Sequence, residues 1–572
     1  MSRSSPAPVA ALSAVLTAVI CWPLFGGYLL HRDAVATPRS PLTAAAFGID
    51  GAPPRAIPQD GLLALASQVV DGGFLVAAIT ALALFGAGVG YGRLAGRLLP
   101  GAGTAGMLAA AVAGIWNPFV AERLLQGHWS LLTGYAALGW IVCAVLDVRD
   151  RPGWRSWAVL AGAFAVAGFT PTGAVFALIV GAVCVLSARP TLPRAAAVAG
   201  VWTATALPWL VSAGFSESPT GPVGGAEAFA ARAETGLGTV GSVLGLGGIW
   251  NAEAVPASRA GWWAAVATGC FLVLLIVGSV LLVRTRRALP AAVPALAALA
   301  LAVVLLVTLA ATGPGLDLTG ALLTHVPGAG LLRDTQKYLA LAVPFVVLAV
   351  AAVAGRLRTW VPTGFAVATI ALLLIAPLPD LAWGVGGKLR PVDYPPDYAR
   401  VTALIGHDDR AVAVWPASPM RDYPWNHGPS LSPLPRMLDA PVVLDEELAV
   451  DGEAIDRSPQ RVREVIDVLE AGGGPAELAR LGVGWVVIER DAAGNVAVPA
   501  ALDRLADDSR SMARVYDGRD LTVYRIDAAR VYPPPGTGAW IAAGIAHGVW
   551  VLCLLAGLAA AVARLSARRS RY

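Results

Sequence analysis

Lysine is nearly absent from this chain: of 42 basic residues, only Lys337 and Lys388 are lysines. Charge of either sign is scarce, at 14% of 572 residues, where a soluble domain carries about 25%. The net charge of +4 is small for the length, which excludes a nucleic-acid footprint. Cysteine is also rare. Cys21, Cys143, Cys184, Cys270 and Cys553 all sit in apolar runs, so no disulfide framework or zinc site is readable. The polar segments carry no thiol, which suits an oxidising compartment. The motifs of soluble enzymes are missing too. There is no Walker A pattern, no GxSxG, no HExxH and no dinucleotide fingerprint after a strand, which argues against ATP-driven transport and lipase-type or zinc-protease chemistry.

Long apolar runs are abundant. Hydrophobic residues make up 56% of the chain and mean hydropathy is +0.65, which marks a polytopic membrane protein. A spanning helix needs about 20 apolar residues. About twelve runs qualify, at 9–29, 72–91, 104–120, 130–147, 156–170, 172–188, 196–213, 261–283, 289–312, 337–355, 360–379 and 538–564. The fifth and sixth are the shortest and meet at "GFTPTGA", which reads as a tight turn or a re-entrant break. The first run lacks a small-residue cleavage pattern and is read as a retained span.

Arginine collects in every second loop, at Arg3, "YGRLAGRLL", "DVRDRPGWRSW", "SARPTLPR", "RTRRALP", "GRLRTW" and "RLSARRSRY". The positive-inside rule therefore orients both termini to the cytoplasm of a plasma membrane. The longer loops, 30–71, 121–129, 214–260, 313–336 and 380–537, fall outside. The chain divides into a membrane domain at 1–379, an extracytoplasmic segment at 380–537, and a last span with a basic tail at 538–572. Within 380–537, "AVAVWP", "APVVLD", "GVGWVVIER" and "DLTVYRI" read as strands. "SPQRVREVIDVLEAGG" and "PAELARLG" read as helices, which makes a small α/β domain. "VYPPPGTGAW" is a stiff linker into the last span.

Three polar clusters fall on the outer side by this topology. The first is His31, Arg32 and Asp33. The second is "WNPFVAERLLQGHW", with Asn117, Glu122, Arg123, Gln126 and His128. The third is "GAGLLRDTQKYLAL", with Arg333, Asp334, Gln336 and Lys337. Charges at a span edge are costly unless paired or wet, so convergence on one face suggests a polar cavity. A short apolar stretch at 61–70 reads as an amphipathic helix in the interface beside it. Each cluster has a bland reading. Arg32 and His31 serve as interfacial anchors, though anchoring explains Asp33 poorly. Glu122 and Arg123 are solvated or paired with each other, and Asp334 caps a helix. Trp425 in "YPWNHGPS" either stacks on a sugar ring or packs within its loop.

These features resemble the GT-C class of membrane glycosyltransferases. The carriers are an acidic residue just after the first span, a long first outer loop with an interfacial helix, many spans and a C-terminal outer domain. "NPFVAERLLQGHW", "LLRDTQKYLAL" and "RDYPWNHGPSLSPLPRML" are similar to actinobacterial envelope proteins of that class. The fold implied is an α-helical polytopic membrane protein of about twelve transmembrane helices, GT-C-like, with a small extracytoplasmic α/β domain. The reaction implied passes a sugar from a polyprenyl-phosphate donor to an envelope glycan or glycolipid acceptor at the bilayer; arabinofuranose and mannose both fit. The class keeps its acid–base carboxylate in the first outer loop, where Asp33 stands. Many relatives carry a paired acidic motif there, and this chain has His-Arg-Asp instead. Arg333 and Lys337, then Arg123 and His128, are the candidates to hold the lipid phosphate. His31, Arg32, Glu122, Asp334, Gln336 and Trp425 are candidate sugar or acceptor contacts. Some members use a divalent cation; His31, His128, His325, Asp33 and Glu122 are the available donors, and no ligand spacing supports a site. A transporter or flippase of a lipid-linked sugar, or a non-catalytic envelope assembly protein, remains as an alternative. A single outer cavity would favour transfer, and a path across the bilayer would favour transport.

The charge rule predicts that a cysteine introduced into 380–537 reacts with a membrane-impermeant thiol reagent on intact cells. Labelling only after lysis contradicts the orientation.

Overall fold

The computed structural model describes residues 6–187, 191–217, 225–445, 449–450, 453–454, 458–471, 473–490, 492 and 511–569. Arg3, Arg189 and Arg571, three of the arginines used for orientation, lie outside the described residues, as do parts of 214–260 and 380–537.

Each of the twelve apolar runs contains a helix. Among the described residues, nine helices are long and apolar enough to cross a membrane, or ten if one bent pair counts as a span. That pair is Thr363–Ile375 and Pro379–Gly387, which meet at 84°. The two runs around "GFTPTGA" form Trp154–Ala167 and Pro171–Leu186, of 14 and 16 residues. At about 1.5 Å per residue, neither reaches the roughly 30 Å of a hydrocarbon core. The junction is a plain turn. The Thr170 hydroxyl accepts from Gly173 N–H at 3.1 Å, and Pro171 takes the first helical position, where no donor is needed.

Small residues let the bundle close tightly. Helices Gly72–Leu98 and Leu131–Asp150 cross where a Cβ on Gly139 would lie 2.8 Å from the Gly90 carbonyl carbon. At one end of this pair, Arg97 bonds Asp147 at 2.5 Å and Asp150 at 2.9 Å. Two of the arginine-rich loops therefore meet each other.

The C-terminal sheet has five strands, in the order Met512–Asp517, Leu521–Ile526, Val483–Glu489, Ala411–Trp415 and Val442–Val443 across the sheet. Ala411–Trp415 runs parallel to Val442–Val443 and Val483–Glu489, while Leu521–Ile526 is antiparallel to Val483–Glu489 and Met512–Asp517. Every residue of Ala411–Trp415 and Val483–Glu489 is buried, as expected when both faces of a sheet are covered. Val412 and Val414 face helix Pro396–Ile405, and Ala411, Ala413 and Trp415 face helices Gln460–Glu470 and Pro475–Arg480. The four strands and two helices expected here are present. Strand Met512–Asp517 and helix Pro396–Ile405 are additional.

One buried ion pair pins a long loop to this sheet. Arg421 and Glu489 are both fully buried and 2.6 Å apart. Glu489 also accepts from the hydroxyls of Tyr423 at 2.7 Å, Ser432 at 3.1 Å and Tyr398 at 3.3 Å. Arg421 donates its remaining N–H groups to the carbonyls of Pro416, Ser418 and Met420. Replacing Arg421 with Met leaves Glu489 buried without a cation, a loss of about 3–5 kcal/mol. Thermal unfolding in detergent should show the variant melting well below the parent, and an unchanged midpoint contradicts this account.

Candidate active site

The chain leaves its first helix, Ala7–Cys21, through a one-turn segment and enters a minimal hairpin. β1 Leu30–His31 pairs with β2 Ala34–Val35, so Arg32 and Asp33 are the two residues of the turn. Arg32 has φ +51°, in the left-handed region. Two neighbours hold this turn. Below it lies Gly127, at φ +83°, where a Cβ would stand 2.5 Å from Ala34 N and 2.6 Å from His31 O. Only glycine allows both that φ and that approach. Beside it runs the loop pinned by Arg421. Arg32 N–H donates to Pro429 O at 2.7 Å, and Leu431 N–H donates to Arg32 O at 2.9 Å. The C-terminal α/β unit therefore adds strand Ser430–Leu431 to the edge of the Asp33 hairpin.

The second cluster forms a short helix, Pro118–Leu125, because Asn117 caps it by accepting from Val120 N–H at 3.1 Å. Glu122 and Arg123 are both fully buried and do not pair with each other. Arg123 bonds Asp334 through Nη1 at 2.5 Å and Nη2 at 3.3 Å, and also bonds the Gln336 amide oxygen. Asp334 makes no cap hydrogen bond, since its carboxylate faces Arg123 instead. Gln336 donates to Glu122 at 2.9 Å. Glu122 accepts from Gly248 N–H at 3.1 Å, and the same N–H lies 3.3 Å from Glu234, which is paired with buried Arg259.

The first cluster joins this network through His128. Its Nε2 is 2.9 Å from Asp33 Oδ2, and its Nδ1 is 3.1 Å from Arg123 Nη1. Gln126 donates to the same Asp33 oxygen at 3.2 Å and accepts from Asn251 at 2.8 Å. Burial pushes the Asp33 pKa up, but the His128 pair, the Gln126 bond and the Arg32 charge outweigh it. The carboxyl is held below its ordinary range and is ionised at neutral pH.

A cavity of about 1840 Å³ opens between the bundle and the C-terminal α/β unit. Arg32, Asp33, His128, Arg333, Asp334 and Lys337 all line it. The remaining candidates lie elsewhere. His31 is buried and turns its ring to Leu125 O at 2.8 Å. Glu122, Arg123 and Gln336 sit behind the wall with no exposed surface, so none reaches a ligand directly. Trp425 is stacked on Tyr423 at 4.6 Å within its own loop and packs against Tyr394 and Tyr398 from the segment around helix Pro396–Ile405. Both ring nitrogens of His128 are engaged, which leaves no free donor for a phosphate. Of the cation donors, only Asp33 and His128 meet. His325 bonds its own helix at Ala321 O, and among the described residues no three acidic, His or Cys groups form a ligand set.

The segment 225–260 was silent in the sequence and contributes Phe229, Trp250 and Asn251 to the wall. Phe229 and Trp250 pack at 4.5 Å, and the Arg333 guanidinium lies 5.4 Å over the Phe229 ring. Glu253 takes the Arg32 guanidinium at 2.9 Å. An aromatic and an amide side by side in "GIWN" were the available signal. The short helix expected at 61–70 is present as Gln59–Ala66, and Asp60 joins it to Arg436 at 3.0 Å.

Two outcomes follow from this geometry. Gly127→Ala forces a methyl into the hairpin backbone at an unfavourable φ and should leave little folded protein by fluorescence-detected size exclusion; parent-like yield contradicts the packing. His31 is held neutral by burial first and by the Arg32 charge second, with its pKa pushed down to about 4. Its unfolded form protonates near pH 6.5, so stability is full above that pH and is lost as pH falls toward 4. The melting temperature of the parent should drop across this window, and His31→Gln should flatten the drop. Equal slopes contradict it.

No family model matches the chain, and no curated protein matches it in sequence. Among solved structures, it is similar in fold to the arabinofuranosyltransferase AftD from mycobacteria, determined by single-particle cryo-EM. The TM-score is 0.55 at 18% identity, over 92% of this chain and 40% of AftD. Two structures of an AftD mutant match at TM-scores of 0.53 and 0.55, with 16% and 15% identity, each over 92% of this chain and 42% of theirs. The chain thus spans about two fifths of the length of the structures it matches. The likeness shows the fold: a GT-C-like, α-helical polytopic membrane protein with a small sheet unit near its C-terminus.

Proposed function

We propose that this chain transfers a sugar from a polyprenyl-phosphate donor to a cell-envelope glycan or glycolipid. In this reading 1–379 is the membrane unit, 380–537 faces the extracytoplasmic side, and both termini are cytoplasmic. The observation that carries it is one cavity lined together by a carboxylate, Asp33, and two cations, Arg333 and Lys337. The fold likeness to an arabinofuranosyltransferase supports the same class and favours arabinofuranose over mannose as the first sugar to try.

The chemistry follows from what the three groups do best. Asp33 takes the proton of an acceptor hydroxyl, which makes that oxygen a competent nucleophile. The oxygen bonds to the anomeric carbon as the bond from that carbon to the phosphate oxygen breaks. The electron pair leaves with the phosphate, and Arg333 and Lys337 stabilise the charge that develops there. Arginine suits a phosphate because its fork offers two parallel donors. A large cavity fits two substrates meeting there better than a single bound metabolite.

Its lining also speaks against passage across the membrane. The lining residues come from the end of the bundle that holds Asp33 and from the α/β unit. The Arg97–Asp147 pair and its neighbours take no part in it.

Membranes containing the chain, supplied with a panel of radiolabelled polyprenyl-phosphate sugars, should transfer at least one of them. Asp33→Asn should reduce that transfer by about 10²-fold or more. Arg333→Gln should weaken donor use while leaving the fold intact. Full transfer by a folded Asp33→Asn protein contradicts the mechanism.

A further inference from the structure

The two oxygens of Asp33 have different surroundings. Oδ2 accepts from the His128 ring and the Gln126 amide. Oδ1 makes no hydrogen bond or ion pair among the described residues, and Asp33 lines the cavity with about two fifths of its side chain exposed. The ring of His128 is not free to choose how it meets Asp33. Its Nδ1 faces a guanidinium nitrogen at 3.1 Å. A guanidinium only donates, so Nδ1 accepts and carries no proton. The ring proton is therefore on Nε2, aimed at Asp33 Oδ2.

Arg123 is itself immobilised. Its side chain has no exposed surface, and its two terminal nitrogens are tied to Asp334 and Gln336. Gln336 is tied in turn to Glu122. A buried charge can be held this way only when its partners are fixed.

We propose that His128 is a positioning residue, locked by Arg123 as the Nε2–H tautomer, which steers Asp33 so that Oδ1 takes the acceptor proton. In the transfer step Oδ1 gains that proton, the acceptor oxygen bonds to the anomeric carbon, and the phosphate leaves with the electron pair. His128 keeps its Nε2 proton throughout. The assignment rests on Asp33 as the base, and it removes His128 from the phosphate-binding set. It also gives the buried residues behind the wall a purpose: they set the direction of one carboxylate.

The tautomer is testable without substrate. The chain has six histidines, so full-length protein labelled with 15N-histidine in nanodiscs gives a readable spectrum. The ring lost in His128→Gln identifies His128. At neutral pH it should carry a proton on Nε2 and none on Nδ1; a proton on Nδ1 overturns the proposal. Kinetics on the sugar transferred from the polyprenyl-phosphate panel supply the second arm. His128→Ala should lower kcat about 10²-fold with donor KM held within about twofold, the scale of a misplaced catalytic group. Glutamine places an amide N–H near the position of Nε2, and asparagine does not. His128→Gln should therefore recover most of the loss and His128→Asn little. A raised donor KM with kcat unchanged makes His128 a phosphate ligand and overturns the proposal. Asp33→Asn keeps the two readings apart: full activity there removes the base assignment and leaves the tautomer result standing.

Discussion

A fully buried guanidinium, Arg123, organises this site. Placing an arginine inside an apolar bundle costs several kcal/mol unless its donors are satisfied. Asp334 and Gln336 take up its two terminal nitrogens, from more than 200 residues further along the chain. That one requirement joins helix Pro118–Leu125 to the segment leading into Val343–Leu357. It draws Asp334 away from capping duty and leaves Arg333 and Lys337, its neighbours in sequence, on the cavity wall. It also fixes the ring of His128, and through it one oxygen of Asp33. Three clusters distant in sequence become one site because a single cation has to be paired.

A second buried pair does comparable work outside the bundle. Arg421 and Glu489 fasten the loop 416–432 to the sheet, and the end of that loop becomes a strand against Arg32. The α/β unit is therefore part of the wall that presents Asp33. Gly127 completes the clamp from the opposite side. A hairpin with only two residues per strand has little stability of its own. It keeps its shape because helix, loop and strand surround it.

Much of this was legible in the sequence, and the failures have physical causes. Apolar runs of about the length of the hydrocarbon core announce helices directly, whereas the contact between Arg97 and Asp147 leaves no local trace. Strands such as "AVAVW" and "VGWVVIE" are continuous apolar runs, so their burial on both faces was written in composition. Length was harder to read: the runs at 156–170 and 172–188 looked like spans until Thr170 and Pro171 cut them short. Site residues divided by a simple rule. Asp33, Arg333 and Lys337 are conspicuous because bare charges at a span edge need a reason. Pairings between remote segments leave no local trace, so neither the burial of Arg123 nor the Glu234–Arg259 pair could be read. For Trp425 the sequence left sugar stacking and packing both open, and packing holds, against tyrosines from two separate stretches.

The central claim is that one cavity holds both the base and the phosphate. A cryo-EM structure of the full chain with a transferable polyprenyl-phosphate sugar tests it most directly. The account predicts phosphate density between Arg333 and Lys337, with Asp33 Oδ1 facing the anomeric carbon from the acceptor side, close enough for one hydroxyl to bridge at about 3 Å. Phosphate bound away from both cations, or a sugar that Asp33 cannot face, would contradict it.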